Sequence, residues 1–102
     1  MKQQQEYRKR RVYLEKYDPY SMPAYYQRIT ESADLNCLNT EAYHRIAPRD
    51  IYHPPGKWIK EFAEEINNSG QPCRYVYDML INAFGIEFES LDGVTWFMLK
   101  YA

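Results

Sequence analysis

The stretch PGKWIKEFAEEINNSG, residues 55–70, constrains the fold more than any other part of the chain. Ile59, Phe62, Ala63 and Ile66 recur at i, i+3, i+4 and i+7, so a helix here carries one apolar stripe that must be buried against a second element. Proline opens the stretch, where a missing N–H costs nothing, and Gly70 closes it. Glu61, Glu64 and Glu65 then fall on the outer face with Lys57 and Lys60 near them, which reads as solvated helix surface.

The next stretch, QPCRYVYDMLINAFG, restarts at Pro72, aligns Cys73, Val76, Tyr77, Leu80 and Phe84, and ends at Gly85; its spacing predicts a second helix. GIEFESLDGVTWFMLKYA follows, with Asp92-Gly93 between two runs of strand formers. That pair suits a type I′ turn and predicts a terminal β-hairpin in which Ile86, Phe88, Phe97 and Leu99 share the core face.

Upstream, residues 3–17 hold good helix formers and predict a helix that stops before Pro19. A short helix from Met22 to Ser32 is expected to follow, then another at NTEAYHRIAP, capped by Asn39 or Thr40 and stopped before Pro48. Only Ile51 to His53 could pair as a strand before Pro54 and Pro55. The 102 residues hold 45% hydrophobic side chains, enough for one core. The fold class expected is α+β, a small helical domain with a C-terminal β-hairpin. Residues 1–38 are expected as an N-terminal helical extension carrying a basic segment, and residues 39–102 as the main domain, the two forming one unit.

In order from residue 40, the expected elements are helix, short strand, helix, tight turn, helix and hairpin. This order resembles the winged-helix variety of helix-turn-helix domain. The resemblance rests on WIKEFAEEINNSGQPCRYVYDMLINAFGIEFES, with Ile59, Phe62, Ala63 and Ile66 matching the first helix, Val76, Tyr77 and Leu80 the second, and GIEF the start of the wing. It implies that Gln71, Arg74, Tyr75, Asp78 and Asn82 face a nucleic-acid groove. Arg74 is the one cation among them, and Glu87 and Glu89 flank the wing, a poor match to phosphate.

Charge is unevenly spread. Residues 1–51 carry nine basic and seven acidic side chains, residues 52–102 four and seven, and the whole chain is −1. A nucleic-acid binder built on this chain must recruit Arg8, Lys9, Arg10 and Arg11 as an arm, with Lys57, Lys60 and Arg74 beside the groove.

Chemistry has little to stand on. His44, His53, Cys37 and Cys73 occur singly, without the paired spacing that clasps zinc or the arrangement that activates a nucleophile. The four glycines are isolated from one another, so no phosphate-cradling loop is present. No catalytic residue, metal or cofactor is expected, and no disulfide. No apolar run reaches the roughly 20 residues that span a bilayer, and the polar start lacks a secretory leader; an intracellular protein without a membrane partner is expected.

Eleven tyrosines and two tryptophans remain to be explained. Aromatic side chains and Arg are enriched in interface hot spots. The sequence therefore points first to a non-enzymatic interaction protein that binds and modulates a larger macromolecule, of the kind a phage directs at a host protein. Its expected contact residues are Tyr25, Tyr26, Tyr75 and Trp96, with Arg74 as a charged anchor. The winged-helix-like nucleic-acid binder is the alternative.

Overall fold

A computed structural model describes residues 7–18, 25–28, 35–49 and 54–101, with the side chains of residues 18, 25–28 and 55 outside the description. The fold is α+β. Strands β1 (Arg11–Asp18), β2 (Tyr25–Arg28), β3 (Cys73–Asp78) and β4 (Ala83–Phe88) form one antiparallel sheet in the order β2-β1-β4-β3. Helices α1 (Thr40–Ile46), α2 (Pro55–Asn68) and α3 (Leu91–Tyr101) supply the rest of the core.

Two elements follow the sequence pattern closely. Asn39 caps α1 by accepting a hydrogen bond from the Ala42 amide at 2.8 Å, and the helix ends at Ile46, ahead of Pro48. In α2, Ile59, Ala63 and Ile66 are buried and Phe62 packs beside them, as the stripe requires.

Four expectations are corrected. Residues 7–9 are helical, with residues 3–6 outside the description, but from Arg11 the chain runs as β1, because pairing with β4 and the burial of Val12 and Leu14 in the core outweigh the helix propensity of the segment. Residues 25–28, expected as part of a helix, are strand β2. The segment read as a second helix is β3, a turn and β4, with Asn82 at φ 50 reversing the chain. Here Val76, Tyr77 and Phe84 fit a helical spacing, but residues 73–78 pair one for one with residues 88–83 of β4, and that pairing decides.

The expected hairpin is the fourth. Its first arm, Ile86 and Phe88, does lie in a strand, but Asp92-Gly93 sits in the first turn of α3. Helix brings Val94 and Phe97 onto the core, with the Phe97 ring 5.8 Å from that of Phe88, and leaves Leu99 exposed. Gly93 lies against Phe88, where an added Cβ would come within 2.6 Å of the ring. The second helix of the expected helix-turn-helix pair and its wing are therefore replaced by strand–turn–strand and by helix. The possible strand at Ile51 to His53 lies outside the described residues.

The segment expected as an extension supplies an inner strand. β1 lies between β2 and β4, and its first half is joined on the β2 side by a parallel bridge from Tyr13 to Cys37. Asn36 ties this edge down, its side-chain amide donating to the carbonyls of Lys9 and Arg11 at 3.0 and 2.9 Å.

A register shift between Tyr13 and Glu15 sets the two sides of the sheet. Tyr13 is opposite Gly85, whereas Glu15 is opposite Phe84, so one extra residue on β1 turns the following side chains over. Leu14 joins the core under the helices. Glu15 accepts hydrogen bonds from the hydroxyl of Tyr43 on α1 and from the indole N–H of Trp58 on α2. Tyr13 points the other way. Gly85 permits this crossing, since a Cβ there would stand 2.3 Å from the Val12 carbonyl oxygen and 2.9 Å from the Tyr13 Cα.

Those obstacles are backbone atoms and cannot swing aside. Gly85→Ala is therefore expected to lower stability by about 3 kcal/mol, at the upper end of overpacking, as read from the urea midpoint with an unchanged m-value.

A candidate interaction surface

On the sheet side away from Glu15, four arginines converge on two buried carboxylates. Asp78, at the end of β3, is 4% exposed and Glu87, on β4, 7%. Arg8 Nε donates to Asp78 Oδ2 at 2.9 Å, and Arg11 Nη1 lies 3.7 Å from the same oxygen. The Tyr13 hydroxyl donates to Oδ2 at 2.9 Å while accepting from Arg11 at 3.3 Å. Glu87 is held by Arg11 at 3.1 Å, Arg74 at 3.2 Å and Arg10 at 3.5 Å. Tyr7 stacks its ring beneath the Arg11 guanidinium, 4.4 Å from ring centre to Cζ.

Two buried charges need partners, and the basic run RKRR meets that need. Burial opposes ionisation of Asp78, but hydrogen bonds from Arg8 and Tyr13, the Arg8 charge and the Leu80 amide outweigh it and hold the carboxyl below the ordinary aspartate range. Desolvation pushes the Tyr13 phenol up to about 12, with Arg11 opposing and Asp78 reinforcing.

Asp78 also shapes the turn that follows. Its Oδ1 accepts from the Leu80 amide at 3.1 Å, an aspartate turn that fixes the start of the β3–β4 connection. The Tyr77 hydroxyl donates to Asn82 Oδ1 at 2.8 Å across its base, and the Tyr77 ring packs on Phe84 at 4.8 Å. Ile81 turns inward against Tyr13 and Ala83. Met79 and Leu80 at the tip face solvent, 77% and 71% exposed. Tyr17 lies at the same end, its amide donating to the Asn82 carbonyl at 3.0 Å, and is partly exposed like Tyr77. Tyr17, Tyr77, Met79 and Leu80 thus form an apolar end to the sheet on a turn held from beneath by ion pairs.

The residues singled out from sequence are dispersed. Tyr25 and Tyr26 lie on β2 with side chains outside the description. Arg74 projects into solvent beside Glu87, whereas the adjacent Tyr75 packs half-buried on the opposite, helix-covered side, its hydroxyl near Gly56. Trp96 is half-buried on α3, edge-on to Tyr101 and beneath Lys100. Arg8, Arg10 and Arg11 are drawn together by the acids; Lys9, Lys57 and Lys60 are exposed. Met79 and Leu80 were missed because a helical reading gave Leu80 to a core stripe, and the signal that could have found them is an apolar pair beside Asp78 and Asn82, both turn formers.

Groups suited to chemistry stay apart. His44 is exposed on α1, edge-on to Tyr43. Cys37 and Cys73 are half-buried; Cys73 donates to the Ala63 carbonyl at 3.3 Å, and burial pushes its thiol up to about 11. His53 lies outside the described residues. Among the described residues, no three metal-binding side chains gather, and no helix is long and apolar enough to cross a membrane. Comparison with protein-family models, curated proteins and solved structures finds no match.

Asp78→Ala is expected to cost about 3 kcal/mol, because it leaves Arg8 and Tyr13 without their shared acceptor. The carboxyl's contribution is complete above the unfolded pKa of about 3.9 and is lost as pH falls through the lower folded value. Asp78→Asn should accordingly flatten the acid limb of the melting temperature measured against pH.

Proposed function

We propose that this chain is a non-enzymatic interaction protein that engages another protein through the apolar end of its sheet, at Tyr17, Tyr77, Met79 and Leu80. The observation that carries the reading is the exposure of Met79 and Leu80, 77% and 71%, on a turn fixed by Asp78. Adjacent large apolar side chains exposed at a tight turn contribute nothing to this chain's own core and impose a solvation cost, which contact with a partner removes. Tyr and Met are also enriched at protein interfaces. The turn is braced in advance, so little ordering entropy is lost on docking. Modulation or inhibition of a larger host protein, in the manner of phage regulators, is the form of action proposed.

The competing proposal is a binder of DNA or RNA that uses the basic N-terminal segment. Arg8, Arg10 and Arg11 are largely occupied by Asp78 and Glu87, which leaves Lys9, Lys57, Lys60 and the 73%-exposed Arg74 as its phosphate contacts. Four cations on an acidic chain give a weaker field than the basic run implies on its own.

The two readings separate on one pair of measurements. Affinity capture from the source organism with the wild type and with a Met79→Ser/Leu80→Ser variant is expected to recover a protein at near-equal stoichiometry with the first and lose it with the second. The variant's stability should stay within about 0.5 kcal/mol of wild type, since both side chains are exposed. Equal recovery by both baits, with duplex DNA affinity falling steeply between about 50 and 200 mM salt, overturns the protein-binding reading.

A further inference from the structure

The large apolar side chains exposed among the described residues fall in two places. One is the end of the sheet at the β3–β4 turn; the other is α3, where Leu91 is 57% exposed and Leu99 81%. α3 follows the opposite end of β4 from that turn. It is apolar nearly all round, with Asp92 and Lys100 its only charged side chains, and a helix of that character is ordinarily covered on every side. Val94 and Phe97 cover the inner side against the core. The outer side of α2, by contrast, carries Lys57, Lys60, Glu61 and Glu64 into solvent.

Two rows of side chains run along the outer side of α3, each at i, i+4 and i+8. Leu91, Thr95 and Leu99 make the first, and Asp92, Trp96 and Lys100 the second. All are exposed except Trp96, which is half-buried with the Lys100 ammonium 5.0 Å from its ring centre. The Thr95 hydroxyl donates to the Leu91 carbonyl at 3.2 Å, so the middle of the first row is buried without stranding a polar group. We propose that this side of α3 is an interface between two copies of the chain, with their α3 helices packed antiparallel about a two-fold axis at Thr95.

Both rows match themselves when reversed. The first sets each Leu91 opposite Leu99 of the second copy and Thr95 opposite itself, so that rows of four-residue spacing interlock as ridges into grooves. In an antiparallel two-fold pair the same flank of each helix meets, and the second row then sets Asp92 beside Lys100 and Trp96 beside Trp96. Each helix N-terminus also lies near the other's C-terminus, which suits the two dipoles. A parallel pairing loses all of this, because it sets Asp92 against Asp92 and Lys100 against Lys100. Self-complementarity of one patch is what a two-fold interface requires, and it favours a second copy over an unrelated helix. Trp96, singled out from sequence as a contact residue, has that role here, and the interface does not rest on the contact proposed for the Met79–Leu80 turn.

One three-turn helix from each copy makes a small interface, so sedimentation equilibrium is run from about 20 to about 500 µM. The mass is expected to rise across that range from 12.3 kDa toward twice that value. Leu99→Ser takes an exposed side chain from each half and is expected to weaken the dimer about a hundred-fold, with an unchanged circular dichroism spectrum. Asp92→Lys and Lys100→Asp each set like charges in both symmetric pairs and should each weaken it about ten-fold. An equimolar mixture of the two, in which every Lys meets an Asp, should associate as wild type does. In a background with Cys37 and Cys73 replaced by Ser, Thr95→Cys should form a disulfide-linked dimer on mild oxidation. Leu91→Cys should not, because its counterpart stands about 12 Å along the helix. A monomer throughout the range, a mixture no stronger than either charge variant alone, or cross-linking at residue 91 as fast as at residue 95 overturns the proposal.

Discussion

Among the described residues, three carboxylates are almost fully shut off from water, Glu15 at 0% exposure, Asp78 at 4% and Glu87 at 7%, and each needs a partner before its segment can be buried. β1 reaches all three. Arg11 bridges the two on the open side of the sheet, Tyr13 adds a hydroxyl to Asp78, and Glu15 is itself the acid on the helix side. A strand able to supply both sides at once must change face partway, which the extra residue between Tyr13 and Glu15 accomplishes. Gly85 follows from that crossing, because only a position without a side chain lets β1 pass so near.

The same network explains the allocation of charge and tyrosine. RKRR reads from sequence as a free basic arm, yet most of its charge is used within the molecule, and Tyr7 stacks on the ion-paired Arg11. Several tyrosines that suggest a binding surface instead complete buried contacts: Tyr13 bonds Asp78, Tyr43 bonds Glu15, and Tyr101 packs between Phe62 and Phe97. The amphipathic character of Tyr serves this chain as a link between an apolar interior and buried acids.

How far the fold could be read from sequence depended on where each signal lies. α2 declares itself because its stripe, its opening proline and its closing glycine agree, and α1 because Asn39 is a strong cap. β1 and β3 were not legible. Their partners are far away in sequence, so the local spacing of Val76, Tyr77, Leu80 and Phe84 favoured helix while long-range pairing decided otherwise. Asp92-Gly93 misled for the opposite reason: a strong local turn signal yields to the gain from laying Val94 and Phe97 of α3 on Phe88. The apolar turn was hidden by the same error, since Leu80 had already been given a place in a core stripe.

The position of β1 also dictates a timetable. Arg11 and Glu87 are 76 residues apart in the chain, and Asp78 follows Arg8 by 70. A ribosome making this protein releases the cationic strand about 70 residues before its acids exist, so β1 must wait, unpaired on its β4 side, until they are made. Folding by this order is slow, because the cost of closing so long a loop falls due before any buried ion pair repays it. The basic run is then a solubilising label on a strand in waiting, and its charge is taken up by the fold only when β4 arrives.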